Sequence, residues 1–338
     1  MIFMLNWKIE NGNRAMSSTS NPKKPESISI WSRINSSEQP VFLYISFAVL
    51  IIGFSASSEY FLTASNFINI ASQTALVTIM ACGVALVIIT GEIDLSIGSN
   101  LALSGVCASL FLVHIADNWL LGGVAGLVVG ATVGLLNGIL TVKLRIPSFL
   151  VTLGTLSIFR GLSLIITDTS PVLVTNTTYW KVFAEGRLGQ VSMPIFWTVF
   201  VIIVSWVLLH YGVLGRQILA TGGNLAAAKY SGINTNKVKV TAFVISGVLA
   251  GLAGVIISAR GHSIRPDVGQ GIELDVLAAV ILGGTSLFGG KGKIYGVILG
   301  SLIIGVLNNG LVLLGMAPSL QLTIKGALII AAVALGRR

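Results

Sequence analysis

Charge is scarce in this chain. Only 10% of its 338 residues are Asp, Glu, Lys or Arg, against about 25% in an average soluble domain. So few charges cannot give a globule of this size a water-facing shell, and a soluble fold is excluded. Cysteine is nearly missing: Cys82 and Cys107 both fall inside apolar runs. That excludes a disulfide framework or a multi-cysteine metal site and leaves both as small packing residues in lipid. The three histidines, His114, His210 and His262, have no second ligand at metal spacing, so no metal residues are assigned. What fills the chain instead is 54% hydrophobic residues, 39 glycines and a mean hydropathy of +0.90.

A transmembrane helix needs about 20 apolar residues. The apolar runs predict about ten, near 41–58, 71–90, 97–114, 120–141, 148–167, 194–211, 241–259, 275–289, 294–314 and 320–336. The fold class is therefore an all-α polytopic membrane protein: a polar tail over 1–40, with Met16 a possible start, then a transmembrane domain over 41–336. The tail has no apolar core followed by a cleavage site of the signal-peptide kind. The net charge of +9 does not imply nucleic acid, because its Lys and Arg are sorted by side. With the tail inside, the inner segments hold 15 of the 21 Lys and Arg and the outer segments four, while Arg160 and Lys325 lie within spans and are expected to snorkel or meet carbonyls. Both termini are expected in the cytoplasm of a bacterial inner membrane.

A shift of 171 residues superposes Gly134, Leu136, Asn137, Leu140, Pro147, Ser148 and Thr152 on Gly305, Leu307, Asn308, Leu311, Pro318, Ser319 and Thr323, seven identities in nineteen positions. Five predicted spans separate the copies. Since five is odd, the chain is expected to form two inverted-topology halves of five helices, about 41–167 and 194–336, an arrangement found in transporters with the substrate path between halves.

Several motifs offer chemistry. Gly122, Gly126, Gly130, Gly134 and Gly138 recur every four residues and share one helix face, a ribbon on which another backbone can lie close. Glu92, Asp94 and Ser96 lie between two apolar runs. Either Asp94 or Ser96 caps the next helix, or the segment is a broken helix lining a cavity, and the two are compatible. Asn137 and Asn308, at equivalent repeat positions, either bond between helices or line a polar route, so Glu92, Asp94, Ser96, Asn137 and Asn308 are the translocation-path candidates. The longest inner loop, 212–240, carries Gly222, Gly223, Asn224, Ala227, Ala228, Ser231 and Gly232. It reads as a short helix with flexible glycine joints, either a solvated connector or a docking piece for a cytoplasmic partner. Arg260, Arg265, Asp267, Glu273 and Asp275 crowd both charge signs into one outer segment and are either candidates for docking an extracytoplasmic protein or ordinary loop charge at headgroup level, with Asp267 or Glu273 capping the next span. Gly283 to Gly292 looks like a phosphate loop, but Thr285 stands at its first position and Gly292 follows Lys291, where Gly and Ser or Thr are required. No nucleotide site is expected in the chain, and no catalytic constellation is visible.

These motifs, in this order, resemble the membrane-spanning permeases of ATP-binding-cassette importers for monosaccharides, the ribose, xylose, galactose and arabinose group. The resemblance runs from about Val41 to Leu335 and is most specific over Gly91–Ser99, Gly222–Ile233 and Gly271–Gly292, continuing to Gly296 and Val306–Leu311. It implies a homodimer or a pair with a related permease, two cytoplasmic ATPases that hold ATP and Mg, and an extracytoplasmic sugar-binding protein. The loop 212–240 would be the ATPase-coupling segment. This chain departs from the family pattern there: Ala226 takes the acidic position and Leu225 a common proline position, which removes a salt bridge from that site. Ile272 likewise replaces a frequent aromatic. The alternative is a secondary, ion-coupled transporter, whose only candidate acids would be Glu92, Asp94, Glu273 and Asp275.

Overall fold

The computed structural model describes residues 41–336. Thirteen helices follow in chain order among them: α1 Val41–Ser57, α2 Ala64–Ile89, α3 Ile97–His114, α4 Trp119–Leu144, α5 Ser148–Ile166, α6 Thr177–Trp180 (extended by a π turn, Lys181–Glu185), α7 Met193–His210, α8 Val213–Gly223, α9 Leu225–Tyr230, α10 Thr235–Arg260, α11 Ile272–Leu282, α12 Ile294–Leu313 and α13 Pro318–Gly336. Two small antiparallel ribbons lie at one end of the molecule. β1 (Val172–Leu173) pairs with β4 (Ser263–Ile264), and β2 (Arg187–Leu188) with β3 (Val191–Ser192). Seven of the described helices, α2, α3, α4, α5, α7, α10 and α12, are long and apolar enough to cross a membrane. The chain is a multi-pass membrane protein.

Helix ends depart from the expected ones where polar residues find partners inside the protein. The second span was expected from 71, but α2 begins at Ala64, where the Thr63 hydroxyl accepts from Asn66 N. Asn66 then donates to Phe61 O at 2.9 Å and accepts from Asn309 at 2.9 Å, so these polar turns stay helical inside the bundle. α10 begins at Thr235 rather than 241, capped by Asn234. The span expected over 275–289 is shorter and displaced: α11 ends at Leu282, because Gly284 turns left-handed at φ 79° and a Cβ at Gly283 would run into the Gly296 backbone.

α2 and α10 form the centre. Every residue of α2 from Thr74 to Ile89 is buried, as expected of a helix that is hydrophobic all round. α4 instead buries a stripe containing all five ribbon glycines and turns its other face outward. A Cβ at Gly130 or Gly134 would meet α10 backbone at Gly247 or Phe243, and one at Gly251 would meet Gly126. The glycine ribbons of α4 and α10 thus lie back to back. Asn100 seals the crossing by donating to both Gly130 O (3.4 Å) and Gly247 O (3.3 Å), carbonyls close enough to share one amide.

The packing has a repeated form. α10 packs on α3 and α4 as α2 packs on α11 and α12; α3 packs on α4 and α5 as α11 packs on α12 and α13. α2 and α10 are each 26 residues, and their first residues, 64 and 235, differ by 171.

Candidate functional site

Between α2 and α3 the chain leaves helical geometry. Gly91 adopts φ 85°, and the following residues run without regular secondary structure to Ser96, with Asp94 and Ser96 buried in the protein. Asp94 is 1% exposed. Its Oδ1 accepts from Ser96 N (3.0 Å) and Ser96 Oγ (2.7 Å), and its Oδ2 accepts from Ser246 Oγ of α10 at 3.2 Å. Asn137 of α4 donates to Ser96 Oγ at 2.7 Å, and its own Oδ1 is buried with no partner among the described residues. Ile93 is held on both sides by α5: Ser148 Oγ accepts from its N–H (2.9 Å) and the Thr152 hydroxyl donates to its carbonyl (3.2 Å). Neither Asp94 nor Ser96 caps α3, since Ser96 at the cap makes no side-chain capping bond. Asp94 folds back on Ser96 instead, satisfying backbone freed at membrane depth. Glu92, at the edge of the break, forms an ion pair with Lys239 of α10.

The second cluster involves the repeat partner of Asn137. Asn308 of α12 donates to Asp275 Oδ2 at 3.3 Å, and Lys325 of α13 binds the same oxygen at 2.9 Å. Lys325 was expected to snorkel or to meet carbonyls, but it pairs with a carboxylate. Each equivalent asparagine therefore sits one hydrogen bond from a carboxylate or from the serine that bonds it.

Asp94 offers a test of what holds the break. Asp94→Leu leaves three buried donors without an acceptor, each costing about 1–3 kcal/mol, and should lower the thermal midpoint by roughly 5–10 °C. Asp94→Asn keeps Oδ1 for both Ser96 donors and can donate to Ser246, so it should stay within about 1 kcal/mol of wild type. An Asn variant as unstable as the Leu variant would show that the charge, not the hydrogen bonding, holds the segment.

At the same end of α10 as Glu92 and Lys239, α8 and α9 form a hook. Asn224 is shared: it ends α8 and caps α9, its Oδ1 accepting from Ala227 N at 3.0 Å. Ala228 is buried while Ala227, Lys229 and Tyr230 face outward. Gly232 stops α9 at φ 81° with its N–H on Lys229 O. Gly222 and Gly223, expected as a flexible joint, are the last turn of α8, and Gly222 lies so close to Ile89 O and Gly290 N that a Cβ would collide with both. Gly290 N donates to Ile89 O at 2.9 Å. The hook, the end of α2 and the 283–293 loop thus meet backbone to backbone.

Residues 66–333 match the family model described as branched-chain amino acid transport system / permease component. The chain belongs to this family. The permease is 44% identical over 292 residues to the ribose import permease protein of Escherichia coli K12, covering 86% of this chain and 91% of that one. It is 41% identical to the ribose import permease protein of Bacillus subtilis 168 over 296 residues (87% and 92%). It is 34% identical to the L-arabinose transport system permease protein of E. coli K12 over 295 residues (87% and 89%). No solved structure matches the permease.

At the ribbon end the permease separates the five expected docking residues. Arg265 and Asp267 grip each other at 2.8 and 3.0 Å, both exposed, and this donation holds the Asp267 carboxyl below the usual carboxylate range. Glu273 folds onto Gly271 N at 3.2 Å. Asp275 does not reach the surface: it is 9% exposed within α11. Arg260 lines a polar cavity of about 640 Å³ with Arg187, Glu185, Gln190 and Asn69. Arg160 ties the loop down, donating to Pro266 O and Val268 O at 3.0 and 2.7 Å. His262 Nε2 lies 2.7 Å from Glu185 Oε1, with its ring stacked on Trp180.

Sequence reasoning missed Lys239, Ser246, Ser148 and Thr152 as holders of the break. Ser148 and Thr152 carried a signal, since both belong to the 171-residue match. Ser246 and Lys239 carried none, because what recruits them is the crossing of α10 over the break.

Proposed function

We propose that the chain is the membrane-spanning subunit of an ATP-binding-cassette importer in a bacterial inner membrane, forming the path for a monosaccharide delivered by an extracytoplasmic binding protein. The likeness to permeases named for ribose and L-arabinose supports the cargo class. The observation that carries the mechanism is the α8–α9 hook, wedged by Gly222 against the end of α2, next to the break that holds Asp94. ATP and Mg belong to a separate cytoplasmic ATPase, and the hook is where that ATPase acts. Two permease subunits, identical or related, enclose the path.

The finer topology proposed is two inverted halves of five helices with both termini cytoplasmic. The 171-residue offset of α2 and α10, the repeated packing pairs and the matched asparagines support it. With the hook inside, the ribbon end faces out, and its Arg260 cavity and exposed Arg265–Asp267 pair are the surfaces offered to the binding protein. The breaks at 90–96 and 261–271 then enter from opposite sides, as inverted halves require. Glu92, Asp94, Ser96, Asn137 and Asn308 would line the path; the Glu92–Lys239 ion pair and the Asp94–Ser246 hydrogen bond, which join the two halves, support this for the first break.

Gly232 tests the hook. Open space surrounds its Cβ position, so bulk there strikes nothing within the permease. The cost of a side chain is the left-handed backbone alone, about 1–2 kcal/mol and greater for a β-branched residue. Gly232→Val should insert and pair normally yet lose ATPase co-purification and sugar uptake by at least about tenfold, whereas Gly232→Asn, which tolerates this φ, should keep most of both. Wild-type uptake in the valine variant would make the hook a mere connector.

A further inference from the structure

Among the described large apolar side chains, the two most exposed are not on a lipid-facing helix. They are Tyr230, 93% exposed at the end of α9, and Phe288, 82% exposed in the loop between α11 and α12. Both belong to segments that meet at one backbone junction, where Gly290 lies against Gly223 and Gly289 against Gly222. That junction is at the end proposed to be cytoplasmic, so water, not lipid, would surround both rings. Large apolar groups exposed to water on two segments that share one junction point to an interaction site there.

Phe288 is held out by a built loop. Ser286 N donates to Lys291 O and Gly289 N to Ser286 O, both at 3.0 Å, and Phe288 N donates to Ser286 Oγ at 3.3 Å. Gly289 and Gly290 follow at φ 84° and 74°, a pair of left-handed positions that only glycine adopts freely. Gly289 and Gly290, within the stretch that looks like a phosphate loop, thus present an aromatic tip and dock the loop on the hook. Each ring also has a lysine beside it in its own segment, Lys229 next to Tyr230 and Lys291 three residues after Phe288, and neither lysine is in an ion pair among the described residues.

We propose that residues 286–291 form a second ATPase-docking element, so that the cytoplasmic ATPase engages the permease at two points: the hook, through Tyr230 and Lys229, and this loop, through Phe288 and Lys291. The occupant is an apolar pocket on the ATPase rimmed by carboxylates, a match to an aromatic ring flanked by a cation. The loop and the hook both belong to the second half of the chain, and their shared junction ties the two contacts together. This inference rests on the importer reading above.

The experiment places a photoreactive benzoylphenylalanine at position 230 or at position 288 of the full permease, co-expressed in membranes with its ATPase subunit. Irradiation should join the ATPase to the permease from both positions. Phe288→Ala should weaken ATPase binding by at least about tenfold, the loss of one buried ring, with the size-exclusion profile of the permease unchanged. Cross-linking from 230 but not from 288, or from 288 to a second permease copy, overturns the two-point interface and leaves the importer reading standing. No ATPase adduct from either position overturns both. Phe288→Ala with wild-type ATPase affinity and an intact profile also overturns the inference.

Discussion

Gly247→Leu should abolish the tight crossing of α4 and α10, leaving a permease that is aggregated on extraction or melts roughly 5–10 °C lower. A Cβ at Gly247 runs into the Gly130 carbonyl and comes within 3.0 Å of both the Gly134 Cα and N, so the clash is with backbone, which cannot rotate away. Overpacking in a dense interior costs about 1–3 kcal/mol where side chains can shift, and here only a whole helix can. The same step would separate Asn100 from one of its two carbonyls. A thermal melt in detergent checks this. Gly154→Leu on α5 is the control, because nothing lies within 4 Å of its Cβ position and it should melt near wild type. Equal melting of the two variants would mean that the glycine contact carries no stability.

Lys325→Met should be strongly destabilising. Among the described residues it leaves Asp275 with Asn308 as its remaining polar side-chain partner, in a site where both members of the pair are less than a quarter exposed. Breaking a buried pair from one side costs about 3–5 kcal/mol, whereas replacing both members is often close to neutral. The double variant Asp275→Asn with Lys325→Met should therefore recover most of the loss, since asparagine still offers an oxygen to Asn308. A double-mutant cycle on thermal or denaturant stability checks this. If the losses of the single variants simply add in the double variant, Lys325 and Asp275 do not act as a pair.

Helix positions were legible wherever apolar runs ended on turn residues: α3 begins and ends as expected, at 97 and 114, and Pro147 fixes the start of α5. They were less legible where polar residues lie inside the bundle. Thr63, Asn66 and Asn234 read as loop because burial with partners, the thing that makes them helical or capping, is a tertiary fact. For the site, the motif at 91–99 and the short helix with its glycine stop could be located from residue types alone. The partners could not. Nothing in the neighbourhood of Asp275 marks Lys325, fifty residues later, as its counter-ion, and nothing near Gly222 announces that it abuts Ile89. The charges placed in one outer group scattered for a related reason. Asp275 is separated from Asp267 by one loop and the first turn of a helix, and that distance carries it from the surface into the bundle.

The single residue shared by α8 and α9 has a mechanical meaning. Asn224 is extended, at φ −153° and ψ 102°, and its side chain locks onto the first turn of α9, so the angle of the hook is set by one residue with little play. Beyond it, α8 ends hard against the carbonyl of Ile89, three residues before the Glu92–Lys239 pair and five before Asp94. Between a load on α9 and the helix break at 90–96 there is no slack loop to take up the stroke. The linkage behaves as a bell crank, with Asn224 as its elbow: a small rotation of the α9 arm must either move the break or fracture the glycine contacts that seat it.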